Sequence, residues 1–494
     1  MSVRSGRVCA RAWLAAGALA LGGIAVPSQG LAGEPAVSQD EGLDEAREAA
    51  RVELVASFET LAEWAGKKKL FAKRADVYLQ LIHFQPGHEV ALRGLGYTKD
   101  KNGEWKEPKE KRPPRDFDKT AAKEFDERNA AITEAYFGAL LGLLEGHGDD
   151  VTPKQRSAIV TDLLFADPDD ARARALIGEA RLDGAWVLVE TARAKARRPV
   201  IKDLVRKAFR QVPPAEVVEP SAKEAAFGLR WKGVYASTLV RSLSTGSAKE
   251  AERMTQAMAA SLSLFNDSTG AEAELPPNLT VYTLANEGDK ETFLGAHPDV
   301  DDEYRKFLAQ LEGSGIMESD DFAQWSEDPL RRLDSLVRIS IMWMFVDGFE
   351  VTPKTGWAFE GFGLYLTREL VGTRLTWFVR PSEYLVKAED NALQARLLDT
   401  RTNWMAEALK VLSKPKRPNL PIFLGKDVNQ LTTEELLYSY VIAAYLLEAY
   451  PEAIPKILGR IGGGEASALV LEQELGRSME ELPAHLLRWL DERR

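Results

Sequence analysis

The stretch from Leu330 to Leu370, LRRLDSLVRISIMWMFVDGFEVTPKTGWAFEGFGLYLTREL, constrains the fold of this chain more than any other. Leu330 to Val346 reads as a buried helix, because its apolar residues leave little polar surface to offer water. A loop follows, and Trp357-Ala-Phe-Glu360-Gly361 opens a second helix.

A chain of 494 residues is long for one core, so two or three domains are expected. With 45% hydrophobic and 28% charged residues it has the composition of a soluble globular protein. A net charge of -11 and a pI near 5.3 argue against a nucleic-acid binder, although basic patches exist locally.

The N-terminus reads as a signal peptide over residues 1–32. Arg4, Arg7 and Arg11 precede an apolar run, Trp13 to Val26, and the small residues after it suggest cleavage near Ala32. Pro27, Ser28 and Gln29 end the run short of the ~20 apolar residues that a membrane span needs. The one cysteine, Cys9, precedes the run, so cleavage would leave no disulfide, thiol nucleophile or Cys-based metal site. Export is expected, to the periplasm, the cell envelope or the exterior. No later segment is apolar enough to span a bilayer.

The first half contains a duplication. Helices are expected from Leu43 to Ala65, from Phe71 to Phe84 and from Pro86 onward. QPGHEVALRGLGYTKDKNGEWKEPKEKR then matches ADPDDARARALIGEARLDGAWVLVETARAK, aligning Pro86, Gly96, Gly103 and Trp105 with Pro168, Gly178, Gly184 and Trp186. Each copy reads as helices ending in a small hairpin, with Asn102-Gly103 and Asp183-Gly184 at the turns. The helical parts resemble tetratricopeptide hairpins, although two copies fall short of an array. The tryptophans either pin each hairpin to its helices or form an exposed aromatic face. Lys195 to Arg210 is a basic, largely helical stretch that Pro213-Pro214 ends. Units are expected at 33–112 and 113–215.

From Ala225 the pattern changes. AFGLRW and VYASTLVRSL look like strands split by a Lys-Gly turn, followed by a helix from Ala248 to Leu264. Further strands are expected at NLTVYTL, Ser314 to Ser319 and Phe322 to Ser326, just before the Leu330 helix. The tail is a run of amphipathic helices broken at Pro451, Gly462 to Gly464 and Gly476. The fold class is therefore α+β, predominantly helical, with a small mixed sheet.

This order of elements over residues 220–494, with the Trp357–Gly361 segment, resembles the gluzincin metallopeptidases of the peptidase MA-like kind. The resemblance implies a zinc site: H-E-x-x-H on the first helix, and a glutamate ligand from the W-x-x-E-G helix. Placed on that frame, Arg338 and Met342 stand at the histidine positions, Ile339 at the general base and Glu360 at the third ligand, 18 residues after Met342. Arginine stays protonated, methionine is a poor zinc ligand and isoleucine takes no proton. Slipping the register restores nothing, since no histidine occurs between Pro298 and Pro483. His83, His88, His147, His297 and His485 include no pair four residues apart.

Glu360 is then a solvated or capped glutamate near a helix start, the partner of Arg338 in an ion pair, or part of another site. Asp347, Glu350 and Glu360 could supply a carboxylate pair for a metal-independent hydrolase. Trp343, Trp357, Phe359, Phe362, Tyr365, Trp377 and Phe378 form an aromatic group that is either core or a binding groove, with Trp343, Trp357 and Tyr365 as possible cleft-lining residues. No phosphate loop, nucleophile elbow or dinucleotide fingerprint occurs. The expected protein is an exported, non-catalytic pseudo-metallopeptidase. It would act as an interaction or scaffold module, take no cofactor and bind a protein or peptide partner.

Overall fold

The computed structural model describes residues 40–108, 115–116, 118–298, 300–309, 316–318, 321–372 and 388–493. The signal peptide with Cys9, and Trp377 and Phe378 of the aromatic group, lie outside them. The chain divides into two compact units, changing from one to the other between Trp186 and Val187.

The first unit is built from α1 (Asp40–Lys67), α2 (Phe71–Phe84), α3 (Glu89–Gly94), the strands β1 (Thr98–Lys99) and β2 (Trp105–Lys106), α4 (Lys119–His147), α5 (Pro153–Ala166), α6 (Ala171–Leu176), and the strands β3 (Glu179–Leu182) and β4 (Ala185–Leu188). Helical periodicity puts Phe58, Leu61, Leu81, Phe84, Phe137, Leu140, Ile159 and Leu163 into one shared core. The copies expected at 33–112 and 113–215 therefore belong to one body. Its limit falls ahead of residue 215, because the helix that follows Trp186 packs into the second unit.

Both copies repeat one local design. The short helix starts at Glu89 rather than at Pro86, because His88 accepts from Ala91 N at 3.2 Å as its N-cap, and Asp170 caps α6 in the same way. In the second copy Asp183 and Gly184, both at positive φ, make a two-residue turn. In the first, the extra residue gives a longer loop that closes on Asp100, whose carboxylate accepts from Asn102 N and Glu104 N. Trp186 is half-buried and donates to Asp169 Oδ1 at 2.7 Å, with the guanidinium groups of Arg174 and Arg181 over its ring. That side chain pins its hairpin to the start of α6.

The second unit begins with α7 (Val189–Gln211), then β5 (Glu216–Val217), α8 (Ala222–Ala226), β6 (Gly233–Ala236), β7 (Arg241–Ser244), α9 (Ala248–Thr269), β8 (Thr280–Leu284), α10 (Glu287–Ala296), α11 (Asp302–Ala309), β9 (Ile316–Glu318) and β10 (Asp321–Trp325). The sheet order is β5-β6-β7-β8-β10-β9, with β7, β8 and β10 parallel and the remaining pairs antiparallel. Next come α12 (Pro329–Phe349) and α13 (Gly356–Val371). The remaining helices are α14 (Ala388–Leu398), α15 (Trp404–Leu412), α16 (Leu420–Phe423), α17 (Thr433–Ala449), α18 (Ile454–Gly462), α19 (Ser467–Leu475) and α20 (Leu482–Glu492). The fold is the expected predominantly helical α+β class.

Two strand expectations are corrected. AFGLRW holds no strand: Ser221 and Glu224 form a capping box that starts the helical turn α8 just before it. VYASTLVRSL is a hairpin instead of one strand, because the Ser237 hydroxyl accepts from Leu239 N and Val240 N and bends the run between β6 and β7.

Candidate functional site

α12 is enclosed on nearly every side, with Leu333 to Phe345 buried except for Ser335. Two polar ties fix it against α9. Arg332 donates to Glu250 Oε1 at 2.7 Å, and the hydroxyls of Ser340 and Ser261 are hydrogen-bonded. Its other neighbour is α13, where Gly361 allows close approach to α17: a Cβ there would meet the Ser439 carbonyl oxygen at 2.3 Å.

Arg338 and Glu360 face each other across α12 and α13. The Arg338 Nη2 donates to Glu360 Oε2, and the two side chains are only 4% and 1% exposed. Gly363, one turn after Glu360, leaves room for the arginine stem, since a Cβ there would lie 3.0 Å from Arg338 Cγ. Burial excludes the solvated-glutamate reading. A carboxylate out of water requires a partner, and Arg338 supplies it. The bond engages one oxygen only; Glu360 Oε1 is buried with no hydrogen-bond partner.

Ile339 and Met342 are buried at 5% and 3% exposure, so the four positions of the expected vestigial site lie inside the core. Their donor chemistry does not fit zinc: a fixed cation, a thioether and an alkyl group surround a carboxylate already bound to that cation. Among the described residues no group of three or more His, Cys, Asp or Glu could hold a metal ion. Four of the five histidines are used elsewhere. His83 stacks on Phe165, His88 bonds Glu59, His297 stacks on Phe227, and His485 bonds Tyr445.

The cleft-lining expectation is corrected. Trp343, Trp357 and Tyr365 are 4%, 0% and 3% exposed and belong to the main core. Trp343 packs edge-on to Phe322, and Trp357 Nε1 donates to Ser467 Oγ at 3.0 Å. The Tyr365 hydroxyl donates to Glu448 Oε1 at 3.0 Å; burial, with the Glu448 charge beside it, holds its pKa well above the ordinary tyrosine value. Large aromatic faces pack inward where they meet other apolar surface, and here α9, α13 and α17 provide it. The carboxylate-pair reading loses its geometry as well: Asp347 and Glu350 are exposed at the end of α12, whereas Glu360 is out of reach of solvent.

A second polar cluster was not foreseen. Glu190 of α7, 1% exposed, accepts from the Tyr450 hydroxyl at 2.6 Å, while Arg477 Nη2 and His485 Nε2 each lie 3.4 Å from it. Burial alone would raise its pKa, but the bonds from His485 and Tyr450 outweigh burial and bring it down to about 2. A carboxylate with a depressed folded pKa stabilises the protein fully above its unfolded value. That contribution drains away as pH falls from about 4.5 towards about 2. Unfolding free energy of wild type should therefore drop by a few kcal/mol across this window, and that of Glu190→Gln should change less steeply. Denaturant titrations at stepped pH check this; parallel curves for the two proteins contradict it. Glutamate, tyrosine, arginine and histidine scattered over 296 residues of chain (Glu190 to His485) leave no local motif to read.

No protein-family model, curated protein or solved structure matches this chain.

Proposed function

We propose that residues 220–494, within the unit Val187–Arg494, are a zincin frame that has exchanged its metal bridge for an ion pair, and that the protein is an exported, non-catalytic binding or scaffold module. The observation that carries the reading is the buried Arg338–Glu360 pair, which joins two helices at the positions where a gluzincin would hold zinc between a histidine and a glutamate. The order of elements supports it: mixed sheet with an antiparallel edge strand, long buried helix, loop, then the helix bearing Glu360. No described helix is long and apolar enough to cross a membrane; the proposed work after export is done through a surface. The duplicated helical unit ahead of the frame supplies one for a protein or peptide partner.

Metal analysis and activity assay of the purified protein test this together. The expected result is no stoichiometric zinc, no peptide cleavage and a melting curve unmoved by chelator. Chelator-sensitive peptide cleavage would overturn it.

A further inference from the structure

The two hairpins of the duplicated unit differ in chemistry at the turn. The first carries Asn102-Gly103 where the second carries Asp183-Gly184, and no other asparagine in the sequence precedes a glycine. Asn102 and Gly103 are both exposed, and among the described residues no hydrogen bond engages the Asn102 side-chain amide. Gly103 presents an unshielded backbone nitrogen: it has no Cβ, and nothing lies within 4 Å of where one would stand. Other asparagines are held by their bonds. Asn266 bonds Ala273 through both ends of its amide, and Asn286, Asn403 and Asn419 cap helices.

We propose that Asn102 is a modification site, where spontaneous succinimide chemistry ends in isoaspartate. The Gly103 nitrogen, having lost its proton to hydroxide, attacks Asn102 Cγ. A C–N bond forms, the Cγ–Nδ2 bond breaks, and ammonia leaves. Water then opens the imide at one carbonyl to give aspartate, or at the other to give isoaspartate. One bond restrains the attack, since Gly103 N donates to Asp100 O at 3.1 Å. That bond closes a hairpin of two residues per strand, and a structure so short opens at little cost. The second hairpin has a carboxyl group in place of the amide, and a carboxylate is a far poorer electrophile.

Isoaspartate adds one backbone atom between residues 102 and 103. Asp100 Oδ1 accepts from Asn102 N at 2.8 Å and Glu104 N at 3.0 Å, and the longer chain pulls these bonds out of register. The product therefore loosens the first hairpin, where the Lys99 amine lies over the Trp105 ring, and leaves the second as it is.

Ageing the purified protein at mildly alkaline pH, then mapping its peptides at acidic pH to halt the reaction, tests the proposal. Asn102 should disappear ahead of every other asparagine, with isoaspartate and aspartate taking its place, and more slowly at mildly acidic pH. In the folded protein the rate should lie within about tenfold of that in urea, because the hairpin opens so readily. Asn102→Gln should abolish most of the isoaspartate that an isoaspartyl methyltransferase counts in the aged protein. Asn102 that stays intact in the folded protein while reacting in urea overturns the proposal. An isoaspartate count unchanged by Asn102→Gln overturns it equally.

Discussion

Arg338→Met should destabilise the second unit by about 3–5 kcal/mol, whereas the double variant Arg338→Met with Glu360→Leu should recover most of that loss. The single change strands a carboxylate 1% exposed to solvent, with neither water nor a cation to compensate it. The double change removes both charges, and with them the desolvation that their attraction offsets. A buried pair can therefore be worth little in net stability and still be costly to break. Equilibrium denaturation checks this. Two compact units can give two transitions, so the one to follow is that of Val187–Arg494. Equal destabilisation in the single and double variants would show that the pair is not coupled.

Trp357→Ala should cost about 3–5 kcal/mol in the same transition. Trp357 has no exposed surface, packs near Phe362 and donates to Ser467, so truncation opens a cavity and strips a buried hydroxyl of its partner. An aromatic residue lining an open groove would lose far less on truncation, since its ring already meets water. A shift under about 1 kcal/mol would return Trp357 to the groove reading.

Much of the architecture could be read from the chain because its signals are local. Phe71 to Phe84 is delimited by its own periodicity, and α2 has those bounds. Gly270, Gly372 and Gly476 close α9, α13 and α19 in the left-handed conformation. The hairpin after each short helix follows from its Asp or Asn beside glycine. The Arg338–Glu360 pair was one of three readings open for Glu360, raised by placing both residues on the zincin frame, and the burial of both side chains decides among them.

What could not be read depends on neighbours distant in sequence. In the sequence α7 is a basic helical stretch at the end of the second copy, yet Ala194, Ile201 and Ala208 meet a core built by residues far down the chain, and this moves the unit boundary ahead of it. β5 is two residues long and exists only because β6 offers it an edge. For Trp343, Trp357 and Tyr365, sequence shows an apolar face but not whether the facing wall is water or helix. The Glu190 cluster has no signal at all until α7, α17 and α20 are assembled.

The proposal that α12 and α13 form a zincin helix pair is tested directly by one graft. The variant R338H/I339E/M342H introduces H-E-x-x-H opposite Glu360 without altering the chain elsewhere. If the frame is that of a zincin, this protein should bind one equivalent of zinc, and saturation should raise its stability by about 4 kcal/mol at a thousandfold excess over Kd. Glu360→Gln in that background should weaken zinc binding strongly. A graft that folds and takes up no zinc, or takes it up regardless of Glu360, would contradict a zincin frame.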